Sequence, residues 1–243
     1  MNESEYYRIA QVEDNHFWYR AMRQSVLETI RSQRPVRNMM ILDVGCGPGG
    51  MTRELGKFGQ VVGIDINTIA LHLARENINL LVQADVCNLP FVGEAYDLVT
   101  ILDVLYNLEV VDDQKAMSEI MRLLSPGGIL YLREPAFNKF RGDHDIIVKT
   151  RNRYTINEIK VKLEKVGFVV QRISYANMIL SIPIYIRRVR QRLVHSRQVE
   201  SDSAPLPWLL NNFFFLILHL ENQLSNRVKL PFGTSVVCLA RKP

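Results

Sequence analysis

At 243 residues and 47% hydrophobic content, the chain is long enough to bury one substantial core. Its net charge of +5 would suit nucleic acid, but five arginines between Arg187 and Arg197 carry much of it and no RNA-binding module accompanies the core, so no nucleic-acid partner is expected. Cys46, Cys87 and Cys238 stand singly and far apart, with neither disulfide-framework nor metal-ligand spacing, which indicates a reducing compartment and no metal. The polar, acidic start Met1-Asn-Glu-Ser-Glu has no apolar stretch behind it, so no secretory signal is visible and a cytoplasmic location is expected.

In chain order, an N-terminal helical segment over about residues 3–34 precedes a first strand at 39–44. The run Asp43-Val44-Gly45-Cys46-Gly47-Pro48-Gly49-Gly50 ends that strand and opens a helix at 51–58. Strand, glycine turn and helix together make a cradle for a nucleotide-like cofactor. Glycine lets backbone approach a ligand and tolerates positive φ, and the helix start offers free N–H groups and a positive dipole end. A second strand, 60–66, closes on Asp65 and is followed by a helix at 68–77; a third, 80–86, ends in Asp85-Val86. Strands at 98–103, 128–134, 168–175 and 234–241 alternate with helices at 113–124 and 155–166. The alternation predicts an α/β fold with a doubly wound, mostly parallel sheet and ligand sites at the strands' C-terminal ends. Residues 176–230 interrupt it. The chain therefore divides into an N-terminal segment covering the cofactor site (1–38), a cofactor-binding core (39–175), a helical insertion expected to choose the substrate (176–230) and a final core strand (231–243).

Gly45-x-Gly47-x-x-Gly50 also fits the dinucleotide fingerprint, which keeps an NAD-dependent oxidoreductase as the runner-up. Asp43 separates the readings. An acid two residues before the first glycine repels a diphosphate and suits a cationic group. A carboxylate at Asp65 can accept both hydroxyls of a ribose, and one at Asp85 can take the exocyclic amine of adenine. Two strand-end acids and an acidic lip favour S-adenosylmethionine, which carries an ammonium and a sulfonium but no phosphate.

With these residues in place, the chain resembles the class I S-adenosylmethionine-dependent methyltransferases along nearly its whole length. Asp43 to Gly49, including Gly45, Gly47 and Gly49, resembles the methionine-binding loop. Gly63-Ile64-Asp65, with Ile66, is similar to the ribose contact, and Ala84-Asp85-Val86 to the adenine contact. Tyr96-Asp97-Leu98-Val99, running on to Leu102, and Leu124-Ser125-Pro126-Gly127-Gly128 resemble the fourth strand and the turn before the fifth. His16-Phe17-Trp18-Tyr19-Arg20, His144-Asp145, Arg153-Tyr154-Thr155 and Pro231-Phe232-Gly233-Thr234-Ser235 resemble a bacterial subgroup often encoded beside glycosyltransferases and natural-product enzymes. The resemblance implies a Rossmann-like sheet of seven strands with the last antiparallel, and cofactor contacts that include Leu102, Tyr19 and Arg23.

The chemistry implied is in-line displacement at a sulfonium methyl, with O-methylation of a small-molecule, glycan or lipid-linked acceptor as the expectation. A hydroxyl nucleophile needs a base, most often histidine. Many related enzymes carry a histidine after the fourth strand, where this chain has Tyr106-Asn107. Asn107 takes no proton, which raises the alternative of a non-catalytic S-adenosylmethionine-binding protein. The remaining candidates are His144 with Asp145, expected in the loop after the fifth strand, and His16 in the N-terminal aromatic cluster. His72, His195 and His219 receive no role, and Arg133-Glu134 is expected to touch substrate or to pair internally. In the insertion, Arg187-Arg188-Val189-Arg190-Gln191-Arg192 faces no acid within its own helix, and a hinge at 201–207 leads into an apolar run from Trp208. That run is shorter than the ~20 residues that span a bilayer. It reads as a lid or dimer face; the sharper alternative is peripheral membrane contact through 184–220.

Overall fold

The computed structural model describes residues 1–33, 38–193, 202–225 and 228–243. Arg34, His195, Arg197 and Ser201, at which the readings above placed a helix end, a histidine without role, a basic residue and a hinge, lie outside the described residues. Seven strands form one sheet: β1 (Met39–Val44), β2 (Gly59–Asp65), β3 (Leu81–Gln83), β4 (Tyr96–Leu102), β5 (Leu124–Pro135), β6 (Val169–Ala176) and β7 (Ser235–Arg241). Their spatial order is β3-β2-β1-β4-β5-β7-β6. The pairs from β3 to β5 are parallel, while β7 runs antiparallel to both β5 and β6. The expected doubly wound, mostly parallel sheet is thus present, and its reversed last strand departs from the dinucleotide-binding order 3-2-1-4-5-6.

Central strands read as near-continuous apolar runs because both faces are covered. Ile41 and Leu42 of β1, Leu98 and Ile101 of β4, and Leu130 and Leu132 of β5 are all fully buried. The flanking helices are α1 (Glu3–Val12), α2 (Phe17–Ser32), α3 (Gly50–Leu55), α4 (Thr68–Ala74), α5 (Asp113–Leu123), α6 (Asp143–Ile147) and α7 (Ile156–Lys165). Local chemistry sets their starts. Asp112 accepts the N–H groups of Gln114 and Lys115 at α5, and Thr155 with Glu158 forms a reciprocal capping box at α7.

Three differences from the sequence expectation bear on the site. The N-terminal segment is two helices, because the polar run Glu13-Asp14-Asn15 breaks it and His16 restarts it as the cap of α2. Strand β3 stops at Gln83; the Asp85 carboxylate accepts the Cys87 N–H at 2.8 Å, a turn that ends the strand and leaves Asp85 beyond it. His144 and Asp145 lie on α6 rather than in a loop, since the Asp145 carboxylate accepts the Gly142 N–H and nucleates that turn.

The insertion forms an antiparallel hairpin of α8 (Met178–Leu193) and α9 (Trp208–Ser225). Leu180 and Ile184 of α8 and Phe214, Phe215, Ile217 and Leu218 of α9 pack on Phe17, Trp18 and Ala21 of α2. At one end of the hairpin the buried Glu221 accepts the Met178 and Ile179 N–H groups at 2.9 and 2.8 Å, capping α8 from α9. At the other, Asp202 pairs with both Arg187 and Arg188. Replacing Glu221 with Ala strands two helix-start donors and should cost about 1.5–3 kcal/mol in urea unfolding. Glu221→Gln should cost less, and equal stability of all three proteins would refute the cap.

Candidate cofactor and acceptor site

One cavity of about 1120 Å³ runs along the C-terminal ends of β1, β2 and β4 and on beneath the insertion. That exceeds the ~300–1,000 Å³ of a usual single-ligand pocket, so it has room for a cofactor and an acceptor together. It lies at the switch point between β1 and β4, where the chain reverses its direction of winding.

The cofactor end is built on the glycine loop. Gly45 adopts φ +72°, and a Cβ there would overlap the Val104 side chain, so β4's following loop closes on β1 only because this residue is glycine. Gly47 is also left-handed, at φ +54°, and a Cβ there meets nothing within 4 Å: the space in front of it is cavity. Asp65 Oδ2 accepts the Gly47 N–H at 3.1 Å and Oδ1 the Asn67 N–H at 2.9 Å, which fixes the acid at the end of β2 with acceptor capacity left over. Ile66, the exposed Asp85, the buried Val86 and Leu102 complete this wall. A backbone cradle cleared of Cβ atoms, with acids at two successive positions along it, fits S-adenosylmethionine, whose positive groups need no phosphate site.

Several expected contacts are arranged differently. Asp43 lines the cavity from below the loop rather than as an exposed lip: it is buried, and its two oxygens accept hydroxyl hydrogen bonds from Thr52 at 2.6 Å and Thr100 at 2.7 Å. Burial pushes its carboxyl up to about 6, against the pull of the two hydroxyls. Gly49, at φ +98°, does not line the cavity; it caps α3 and packs against Ala74 and Ile78 of the neighbouring helix. The acid at the lip is Glu13, which faces the Gly50 N–H at the start of α3. Its carboxyl is pushed up to about 7 by burial, with Arg23 pulling it down. Arg23 is itself turned to Asp14, 3.9 Å away, as well as to Glu13. Sequence reading missed Glu13 because it lies in the break between two helices, far from any strand end.

At the acceptor end, Asp103 follows β4 in a left-handed conformation, φ +56°, and pairs with Arg133 at 2.6 Å. Arg133 also donates to Ser235 and lies over the Trp18 ring, 5.1 Å from its centroid. Glu134 does not pair with Arg133: it is fully buried, and its carboxylate accepts the N–H groups of Val104, Leu105 and Tyr106. Phe17, Trp18, Tyr19, Met22, Tyr106, Phe140, Ile184 and Leu206 supply apolar walls. Tyr19 donates to or accepts from Ser203 at 3.1 Å, and burial pushes its phenol up to about 12.

The three catalytic candidates separate here. His144 lines the cavity; its Nδ1 accepts the Asp202 N–H at 3.4 Å, and burial holds its pKa below the usual histidine value although Asp202 pulls it up. Asp145 is no partner for it. Both carboxylate oxygens are bound to Arg153, at 2.8 and 3.1 Å, so this acid braces α6. His16 also lines the cavity and caps α2: its Nδ1 accepts the Trp18 N–H at 3.4 Å and its ring is hydrogen-bonded to the Ala204 backbone, which ties α2 to the insertion. Arg188, expected on a basic surface, is instead buried against Asp202 and lines the cavity. Among the described residues no group of three metal-ligating side chains is present.

Two measurements check the cofactor end. Asp65→Ala should weaken S-adenosylhomocysteine binding by about 1.5–3 kcal/mol in calorimetry, because charge-assisted hydrogen bonds are lost. Glu13 is neutral below its pKa of about 7 and anionic above it. Affinity for the cationic S-adenosylmethionine should therefore climb between pH 6 and 8, and Glu13→Gln should flatten that slope.

Residues 42–132 match the family described as Methyltransferase domain. The ubiquinone/menaquinone biosynthesis C-methyltransferase UbiE of Pseudoalteromonas translucida is 34% identical over 142 residues, 54% of this chain and 54% of the relative. The enzyme of the same name from Shewanella halifaxensis is 35% identical over 157 residues, 59% and 58% of the two chains. The chain thus matches little more than half the length of these curated relatives. Among solved structures, an S-adenosylmethionine-dependent methyltransferase from Thermotoga maritima superposes with a TM-score of 0.62 at 16% identity, covering 99% of this chain and 96% of that one. Phosphoethanolamine N-methyltransferase 2 of Haemonchus contortus, crystallised with S-adenosyl-L-methionine, gives 0.57 at 21% identity, over 90% and 52%. At these identities the structural likeness is one of fold alone. The matched stretch takes in β1 to β5, the part of the sheet that forms the glycine cradle, and over this stretch the chain carries an S-adenosylmethionine-dependent methyltransferase domain.

Proposed function

We propose that the chain is a cytoplasmic enzyme that methylates a hydroxyl oxygen of a largely apolar, ring-bearing acceptor, either a small molecule or a lipid-linked one. The observation that carries this reading is the continuity of the cavity. The cofactor cradle opens, past Asp103 and Arg133, into a chamber walled by Trp18, Tyr19, Tyr106 and Phe140, with the ionisable His144 on its wall. Bound S-adenosylmethionine supplies a methyl group already activated by the sulfonium charge. The protein's part is alignment, exclusion of water and handling of one proton.

Gly45, Gly47 and Asp65 would hold the cofactor, with Asp85, Val86 and Leu102 beside its base and Tyr19 closing over it. His144 is the group in the chamber suited to take a proton, since burial keeps its imidazole neutral at pH 7. His144 would take the proton of the acceptor hydroxyl as that oxygen is methylated. The Asp103–Arg133 pair, fixed by Ser235 and Trp18, would steady the acceptor's developing negative charge. Asp145 acts only through α6.

A second reading, methylation at ring carbon, is favoured by the names of the quinone-pathway relatives. Deprotonating a ring hydroxyl raises electron density at both oxygen and ring carbon, so the same base serves either outcome. Turnover with a panel of phenolic acceptors, followed by NMR of the product's methyl group, would distinguish them. His144→Asn keeps a hydrogen-bond acceptor toward Asp202 but removes the base, and should lower kcat by ~10²–10⁴ while leaving cofactor affinity unchanged. Wild-type kcat in that variant would exclude His144 as the base.

A further inference from the structure

The insertion presents an apolar outer layer that no other described residue covers. Positions 180, 184 and 188 of α8 and 214, 218 and 222 of α9 face inward, and residues two places further on lie about 200° around each helix. Those outer positions are Ile182, Ile186 and Arg190 on α8, and Leu216, Leu220 and Leu224 on α9, all exposed. Trp208 and Leu209, each 74% exposed, and Phe213, 57% exposed, extend the layer at the end of α9 that lies beside Asp202. Monomeric soluble proteins seldom leave a contiguous apolar face of this extent to water.

Charge identifies the occupant. α8 carries Arg187, Arg188, Arg190 and Arg192 and no acid, while the one acid of α9, Glu221, is buried as the cap of α8. The exposed charge on the two helices is therefore cationic, with Asp202 at its edge paired to Arg187 and Arg188. The exposed Lys139 and Arg141 flank Phe140, whose ring meets Tyr185 of α8 edge-on at 6.2 Å, and extend the basic rim. An apolar face with aromatic residues at one end and a cationic rim complements an anionic lipid surface, into which such a helix sinks ~5–10 Å. A second copy of this chain would bring the same arginines together.

We propose that the α8–α9 hairpin docks the protein on anionic membranes, with Trp208, Leu209 and Phe213 entering the lipid and Arg190 at the head groups. Among the described residues no helix is long and apolar enough to cross a membrane, so the contact is peripheral. Ile184, Arg187, Pro205 and Leu206 of the insertion also line the cavity, so docking would set its acceptor end beside the bilayer; this last step rests on the methyltransferase reading.

The test uses the full chain without cofactor or acceptor, which makes it independent of that reading. Wild type should sediment with phosphatidylcholine vesicles containing phosphatidylglycerol, less with phosphatidylcholine alone, and less again at high salt. Trp208 emission should shift to the blue and be quenched by brominated lipid, with Trp208→Phe assigning the signal against the only other tryptophan, Trp18. Arg190→Gln should weaken vesicle binding about fivefold, and the triple variant Leu209→Gln, Phe213→Gln, Leu216→Gln roughly tenfold or more, with circular dichroism unchanged. No sedimentation with anionic vesicles at low salt would overturn the proposal, as would absence of Trp208 quenching in bound wild type. So would a solution dimer that Leu216→Gln with Leu220→Gln dissociates and that binds no vesicles, since a second copy would then cover the face.

Discussion

The site depends on one buried carboxylate. Glu134 ends β5, yet it serves the loop after β4: three successive N–H groups, of Val104, Leu105 and Tyr106, converge on its two oxygens. Burial pushes this carboxyl well above the usual range, and the three donors oppose that shift by favouring the charged form. Holding those donors fixes Val104 against Gly45 and turns Asp103 left-handed toward Arg133, the residue adjacent to Glu134 itself. A charge inside the sheet is costly. Here it is offset by assembling both halves of the switch point, cofactor loop and acceptor floor, around one point.

The fold was legible because its signals are local or periodic. Apolar strands, the glycine run and the strand-end acids each depend on a few neighbouring residues, and alternation with helices fixes a doubly wound sheet. Where the arrangement differs from expectation, a longer-range partner decided. Asp43 lines the cavity, but Thr52 and Thr100, from α3 and β4, occupy both of its oxygens. Gly49 belongs to the glycine run, yet α4 claims it for packing. Asp145 follows His144 in sequence and turns instead to Arg153. Glu13 and the Asp103–Arg133 pair left no periodic trace, because each becomes a site residue only when separate segments meet.

The cofactor end of the cavity and the insertion are joined through α2. Its first turn carries Phe17, Trp18 and Tyr19, which line the cavity, and the rest of its buried face packs on the sheet and on the insertion. Asn211 of α9 accepts the Phe17 N–H at 2.8 Å, Asn222 donates to the Ala21 carbonyl at 3.1 Å, and the Arg20 guanidinium lies 4.1 Å from the Phe215 ring centroid. The insertion is therefore bolted to the helix that also roofs the cofactor. A change in how the hairpin sits would reach Tyr19 and Trp18 without passing through the sheet.

Charge is distributed unevenly along the cavity. The cofactor end gathers Asp65, Asp85, Glu13 and Glu109, with Arg8 and Arg23 among them, whereas the far end gathers Arg133, Arg153, Arg187 and Arg188. An acidic end suits a cofactor that arrives with a sulfonium. The basic end is tempered, since Asp103, Asp145 and Asp202 each bind one or more of these guanidinium groups. Ion pairs in this setting act as fixed dipoles, suited to a partial negative charge on a bound group rather than to a fully anionic ligand.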